Sequence, residues 1–131
     1  MSVTVAICDK TLGSTTKNTW TLEFLDETVT ARELIRRRVY QEVQDYNLEP
    51  ADVFQGLVQP TDTETLLNGF KVRNKRKLDW EAQYTKALEA FKGNGFIMLV
   101  DDRQIEALDE VVNLTTRTQV SFLKLMPLVG G

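Results

Sequence analysis

The chain has 131 residues, 42% hydrophobic and 27% charged, which is enough for one domain with a real core. Its net charge of -3 gives no general pull towards nucleic acid or an anionic membrane, and no apolar run is long enough to span a bilayer. It has no histidine and one cysteine, Cys8. That excludes an internal disulfide, Ser-His-Asp and Cys-His catalysis and most zinc sites, and it points to the reducing cytoplasm.

Val3, Val5 and Ile7 alternate with Thr4, Ala6 and Cys8, the period of a strand. The polar stretch from Gly13 to Asn18 reads as a turn, and Trp20, Leu22 and Phe24 then alternate with polar residues as a second strand of an N-terminal hairpin. The start Met1-Ser2-Val3-Thr4-Val5 lacks the basic and apolar regions of a signal peptide. Thr30-Ala31-Arg32-Glu33 is a capping box, and Ala31, Leu34, Ile35, Val39, Val43 and Tyr46 recur at helical spacing, so an amphipathic helix is predicted over 31–47. Arg32, Arg36, Arg37, Gln41, Gln44 and Asp45 fall on its other side.

From Leu48 to about Lys77 the pattern weakens, broken by Pro50 and Pro60 and punctuated by Gly56 and Gly69. Its apolar residues are too many for a disordered linker, and a short strand pair is expected around 55–58 and 69–73. Asp79 is placed to cap a second helix over 80–91, with Trp80, Tyr84, Ala87, Leu88 and Phe91 on one face and Gly93 as its stop. Phe96–Val100 reads as a buried strand, 101–104 as a turn, and Ile105 with Leu108 as a short edge segment. The last strand runs from Val120 to Met126, and Pro127 ends it before the tail Leu128-Val129-Gly130-Gly131.

No phosphate-binding loop, dinucleotide motif or metal-ligand spacing occurs. The sequence therefore predicts no catalytic residue, no metal and no cofactor, and the chain reads as something an enzyme acts on. Gly130 and Gly131 make a thin tail that can pass through a slot no larger residue could enter, with an unhindered carboxylate behind it. The basic clusters Arg36-Arg37-Arg38 and Lys71–Lys77 read best as solvated faces. No aromatic residue is interleaved with the lysines, so nucleic acid is not an expected partner, nor is a membrane. Cys8 reads as a small packed residue.

The order of elements across 3–24 and 30–46, followed by the closing stretch from Thr118 to Gly131, resembles the ubiquitin-like β-grasp superfamily. That superfamily includes protein modifiers and the sulfur carriers of molybdopterin and thiamine synthesis. The chain looks most like a bacterial ubiquitin-like protein encoded beside activating and conjugating enzymes. The resemblance implies an α+β fold, a β-grasp forming a single domain over 1–131, with an inserted helical segment over about 48–92 and a tail over 127–131.

The resemblance also implies a ubiquitin-like modifier whose Gly131 carboxylate is adenylated with ATP by an activating enzyme of the ubiquitin-activating, adenylyltransferase type. Passage to a thioester and to a target amine would follow, because adenylation supplies the leaving group that a carboxylate lacks. Gly130 and Gly131 would be the reactive end. Val129, Leu128, Met126 and Lys124 would meet the activating enzyme, with Phe122 on the same side of the strand. The further partners implied are a conjugating enzyme, a deconjugating protease and target proteins. Two other functions remain open at this point: a sulfur carrier ending in a thiocarboxylate, and a non-conjugated interaction module.

Overall fold

A computed structural model describes residues 2–13, 17–66 and 69–125. Its elements are β1 (Val3–Thr11), β2 (Lys17–Phe24), β3 (Thr28–Thr30), α1 (Ala31–Leu48), β4 (Val53–Phe54), β5 (Thr63–Leu66), β6 (Gly69–Val72), α2 (Trp80–Lys92), β7 (Phe96–Val100), β8 (Arg103–Ile105), β9 (Val111–Asn113) and β10 (Gln119–Lys124). The fold class is α+β. Two compact units divide the chain, one built from the described residues of Met1–Leu34 and Phe91–Gly131, the other from those of Ile35–Ala90. The divisions fall inside α1 and near the end of α2.

The first unit holds a five-stranded mixed sheet in the order β2-β1-β10-β7-β8. β10 runs parallel to β1 and antiparallel to β7, so it occupies the centre. One face of the sheet is core: Val3, Val5, Ile7, Leu22, Phe24, Phe96, Met98, Val100, Ile105, Val120 and Phe122 are buried, as their alternation requires. Phe96 stacks at a tilt between Phe91 and Phe122, with ring centroids 5.9 Å away on each side. A second, two-stranded sheet pairs β3 with β9. Both strands have three residues, too short for a periodic signal, and the sequence reading lacks them.

This small sheet feeds the start of α1. The amides of Ala31 and Arg32 donate to the carbonyls of Glu110 and Leu108 at 2.9 Å each, and the Thr30 hydroxyl accepts from the Glu33 amide at 3.2 Å. Three of the four donors that a helix start leaves unmet are thereby satisfied. β7 and β8 join through Asp101 and Asp102, both at positive φ (49° and 68°), as a two-residue hairpin with a type I′ twist requires. The expected four-residue turn over 101–104 is thus two residues long, and β8 takes up Arg103 and Gln104.

The second unit contains a three-stranded antiparallel sheet, β4-β6-β5. The expected strand pair lies two residues earlier on its first arm, over Val53–Phe54, and β5 is an addition to it. At Gly69 φ is +148°, and a Cβ there would stand 2.7 Å from the Phe54 carbonyl oxygen, so the close pairing of β6 with β4 needs glycine. Tyr46 packs edge-on against Phe54 at 5.3 Å and donates its hydroxyl to the Ala51 carbonyl at 2.6 Å. Trp80 is met edge-on by Tyr40 at 5.2 Å and carries the Arg36 guanidinium over its ring at 5.5 Å. Gln83, buried, donates to the Val58 carbonyl at 3.1 Å.

Both helices begin where the sequence places them and run one residue further. Every apolar residue assigned to the inner face of α1 is buried, and Arg32, Arg36, Gln44 and Asp45 are exposed. Asp79 caps α2 through the Glu81 amide at 3.3 Å. The residue at positive φ after α2 is Asn94 (58°), whose amide donates to the Phe91 carbonyl. Arg38 departs from the simple two-sided helix. It is wholly buried, with Nη2 3.3 Å from Glu42 Oε2, while Glu42 Oε1 accepts from the Leu57 amide at 3.2 Å. No helix among the described residues is long and apolar enough to cross a membrane.

Candidate functional site

β10 positions whatever follows it, so the candidate site is built around its far end. Its register sets Val120 between Ile7 and Val100, Phe122 between Asp9 and Met98, and Lys124 between Thr11 and Phe96. These three share the core-side face of the sheet. Val120 and Phe122 are completely buried, while Lys124 is half-buried at the rim. The Lys124 carbonyl accepts from the Leu12 amide at 2.9 Å, and the Leu125 amide donates to the Gly95 carbonyl at 3.4 Å. The strand is therefore gripped from both neighbours up to its last described residues. Met126, Leu128, Val129, Gly130 and Gly131 lie outside the described residues.

Because Phe122 has no exposed surface, it has no side chain to offer a partner. The other face of the sheet is different. Leu123, Ile97, Leu99 and Ala6 are each half-buried on it, with buried Ser121 and Cys8 between them. Lys10, Thr19, Thr21, Glu23 and Gln104 surround them as exposed polar residues. An apolar centre inside a polar rim is the anatomy of a protein-docking surface. The sequence reading missed Ile97 and Leu99 because β7 is apolar throughout, and a continuous apolar run reads as buried on both faces.

A cavity of about 200 Å³ is lined by residues of β7, of β8 and of the stretch from the end of α2. Phe91, Phe96 and Ile105 supply its apolar floor, and Asn94, Gln104 and Glu106 its exposed polar rim. No group of three or more Cys, Asp or Glu side chains is arranged to hold a metal among the described residues. The Cys8 thiol is buried at 1% exposure beneath its strand neighbours, a packed residue out of reach of a substrate. Burial pushes the Tyr46 phenol upward against the opposing effect of its bond to Ala51, and this residue belongs to the second unit, away from β10 in the chain.

No protein-family model, no curated protein and no solved structure matches this chain.

Proposed function

We propose that the chain is a ubiquitin-like protein modifier with a β-grasp core, presented to an activating enzyme at its Gly130-Gly131 end. The observation that carries the reading is the place of β10. It is the central strand, parallel to β1 in the order β2-β1-β10-β7-β8, with a hairpin and the start of a long helix before it in the chain. Hairpin, long helix, further strands and a final strand is the chain order on which the β-grasp resemblance rests. Such a strand is fixed on both sides as far as its pairing runs, and a rigid platform of this kind would limit the search an activating enzyme must make for the carboxylate.

On this reading Gly131 supplies the carboxylate, Gly130 the slender approach, and Leu128, Val129 and Met126 the contacts along the channel. Leu123, Ile97 and Leu99 supply the docking face, and Lys124 marks its border with the core-side face. The activating enzyme consumes ATP, a conjugating enzyme and a deconjugating protease act later, and target amines accept the acyl group. A compact second unit over 35–90 is more than a minimal sulfur carrier needs, which favours the modifier.

Trypsin cuts after Lys124, so a conjugate leaves Leu125–Gly131 as a branch on the acceptor lysine. Peptide mass analysis of native-cell extracts is expected to find that branch. A Gly131 thiocarboxylate in its place would establish the sulfur carrier. An unmodified carboxylate alone, in cells that contain the activating enzyme, would overturn both.

A further inference from the structure

We propose that the stretch Lys71–Lys77 is a binding surface for the phosphodiester backbone of nucleic acid. Lys71, Arg73, Lys75, Arg76 and Lys77 place five cations within seven residues, with no acid among them. All five are exposed. Among the described residues, Lys71, Arg73, Lys75 and Lys77 make no ion pair, although Glu64 lies opposite Lys71 across the β5–β6 ladder. Arg76 donates to the Thr61 carbonyl, and Lys86 donates to the Thr61 hydroxyl at 2.6 Å and the Gln59 carbonyl at 3.3 Å. Arg76 and a sixth cation, Lys86, thus converge on one neutral residue, where each raises the local positive potential of the other.

The side-chain pattern selects the partner. The apolar residues of the stretch, Val72 and Leu78, are turned inward and buried at 2% and 7% exposure. Asn74 and Lys75 take left-handed conformations (φ 61° and 48°), folding the chain into a tight turn that presents polar side chains alone. A protein partner docks through an apolar anchor at the centre of its contact, and this surface offers none. A phosphate backbone needs only cations and hydrogen-bond donors, with no base contact and no stacking ring. The sequence expectation of a solvated basic face rests on the lack of aromatic residues among the lysines, which a single-strand binder needs and a phosphate-backbone contact does not. The inference stands independently of the Gly131 chemistry.

The test is fluorescence anisotropy of a fluorescein-labelled, mixed-sequence DNA duplex against the full chain over a salt series. Binding is expected to weaken linearly with salt on logarithmic axes. The variant R73Q/K75Q/K77Q is expected to lose at least about tenfold in affinity, with the salt slope shallower by about 0.9 for each phosphate contact removed. Arg76 is left in place because it holds Thr61. K17Q/K92Q/R117Q carries the same charge change at exposed positions of the first unit and is expected to bind as wild type. Circular dichroism melts check folding, and single Lys75→Gln and Lys77→Gln variants replace the triple if it fails to fold. Absence of binding at low salt, equal weakening by both triple variants, or displacement by polyglutamate as effective as by unlabelled duplex would each overturn the proposal. The last result would assign the surface to an acidic protein.

Discussion

The side chain of Asn47 does for Leu78 what a neighbouring strand would do. Its Nδ2 donates to the Leu78 carbonyl and its Oδ1 accepts from the Leu78 amide, both at 2.8 Å. One amide group thereby satisfies both backbone polar groups of a residue 31 positions away, whose side chain is buried. This clamp fixes the last turn of α1 against the approach to α2 without any sheet. Asn47→Ala leaves both groups without that partner and is expected to cost about 1–3 kcal/mol in urea unfolding. Asn47→Asp keeps the acceptor but sets a carboxylate against the Leu78 carbonyl, so it is expected to cost no less. A neutral Asn47→Asp would mean that water replaces the donor.

The buried pair Arg38–Glu42 makes a sharper contrast. Truncating one member, as in Glu42→Ala, leaves a guanidinium in a site with 1% side-chain exposure and removes the acceptor of the Leu57 amide. The expected loss is about 3–5 kcal/mol. The double variant Arg38→Leu, Glu42→Leu is expected to lose less than the single one, because no buried charge remains. A double-mutant cycle in denaturant reads the difference directly.

Tyr46 gives a pH signature. Burial raises its pKa above 10.0, so the folded state holds the phenol proton more tightly than the unfolded state. That stability is fully present below the unfolded pKa and is lost as pH rises through the folded one. Wild type is therefore expected to lose stability above pH 10.0 more steeply than Tyr46→Phe, even though the variant loses about 1 kcal/mol at neutral pH with its bond to Ala51. Parallel slopes of stability against pH in the two proteins would refute the assignment.

The two faces of β10 should separate stability from recognition. Phe122→Ala is expected to cost about 3–5 kcal/mol, as for a fully buried aromatic. Leu123→Lys and Ile97→Lys, on the opposite face, are expected to cost under about 1 kcal/mol. Both should nevertheless slow pyrophosphate exchange with the activating enzyme. Deleting Gly131 should abolish exchange with no change in melting. Exchange by the Leu123→Lys protein at the wild-type rate would remove this face from the docking surface.

Physical periodicity decides which of these features the sequence discloses. The inner residues of α1 recur at a spacing that only a helix satisfies, and Thr30 and Asp79 mark helix starts by chemistry that acts within three residues. Arg38 was illegible because a helical arginine reads as solvated until its tertiary environment is known. Strands β3 and β9 are too short to alternate, and their pairing spans 85 residues between Thr28 and Asn113. Of the candidate site, Lys124 can be placed on its strand. The residues beyond Leu125 rest on the tail motif, outside the described residues. Ile97 and Leu99 emerge only from the register of β7 with β10, which pairs them with Leu123 and Ser121.

The central position of β10 has a consequence for synthesis. A ribosome releases β1, β2, β7 and β8 before residues 119–124, so the nascent chain carries two separate ribbons, each with a bare inner edge, and the strand that joins them arrives after both. Pairings such as Ala6 with Gln119 can form only when most of the chain has left the exit tunnel. A transcript cut short before codon 119 therefore yields two open edges able to capture any extended segment nearby, and quality control should degrade such products quickly.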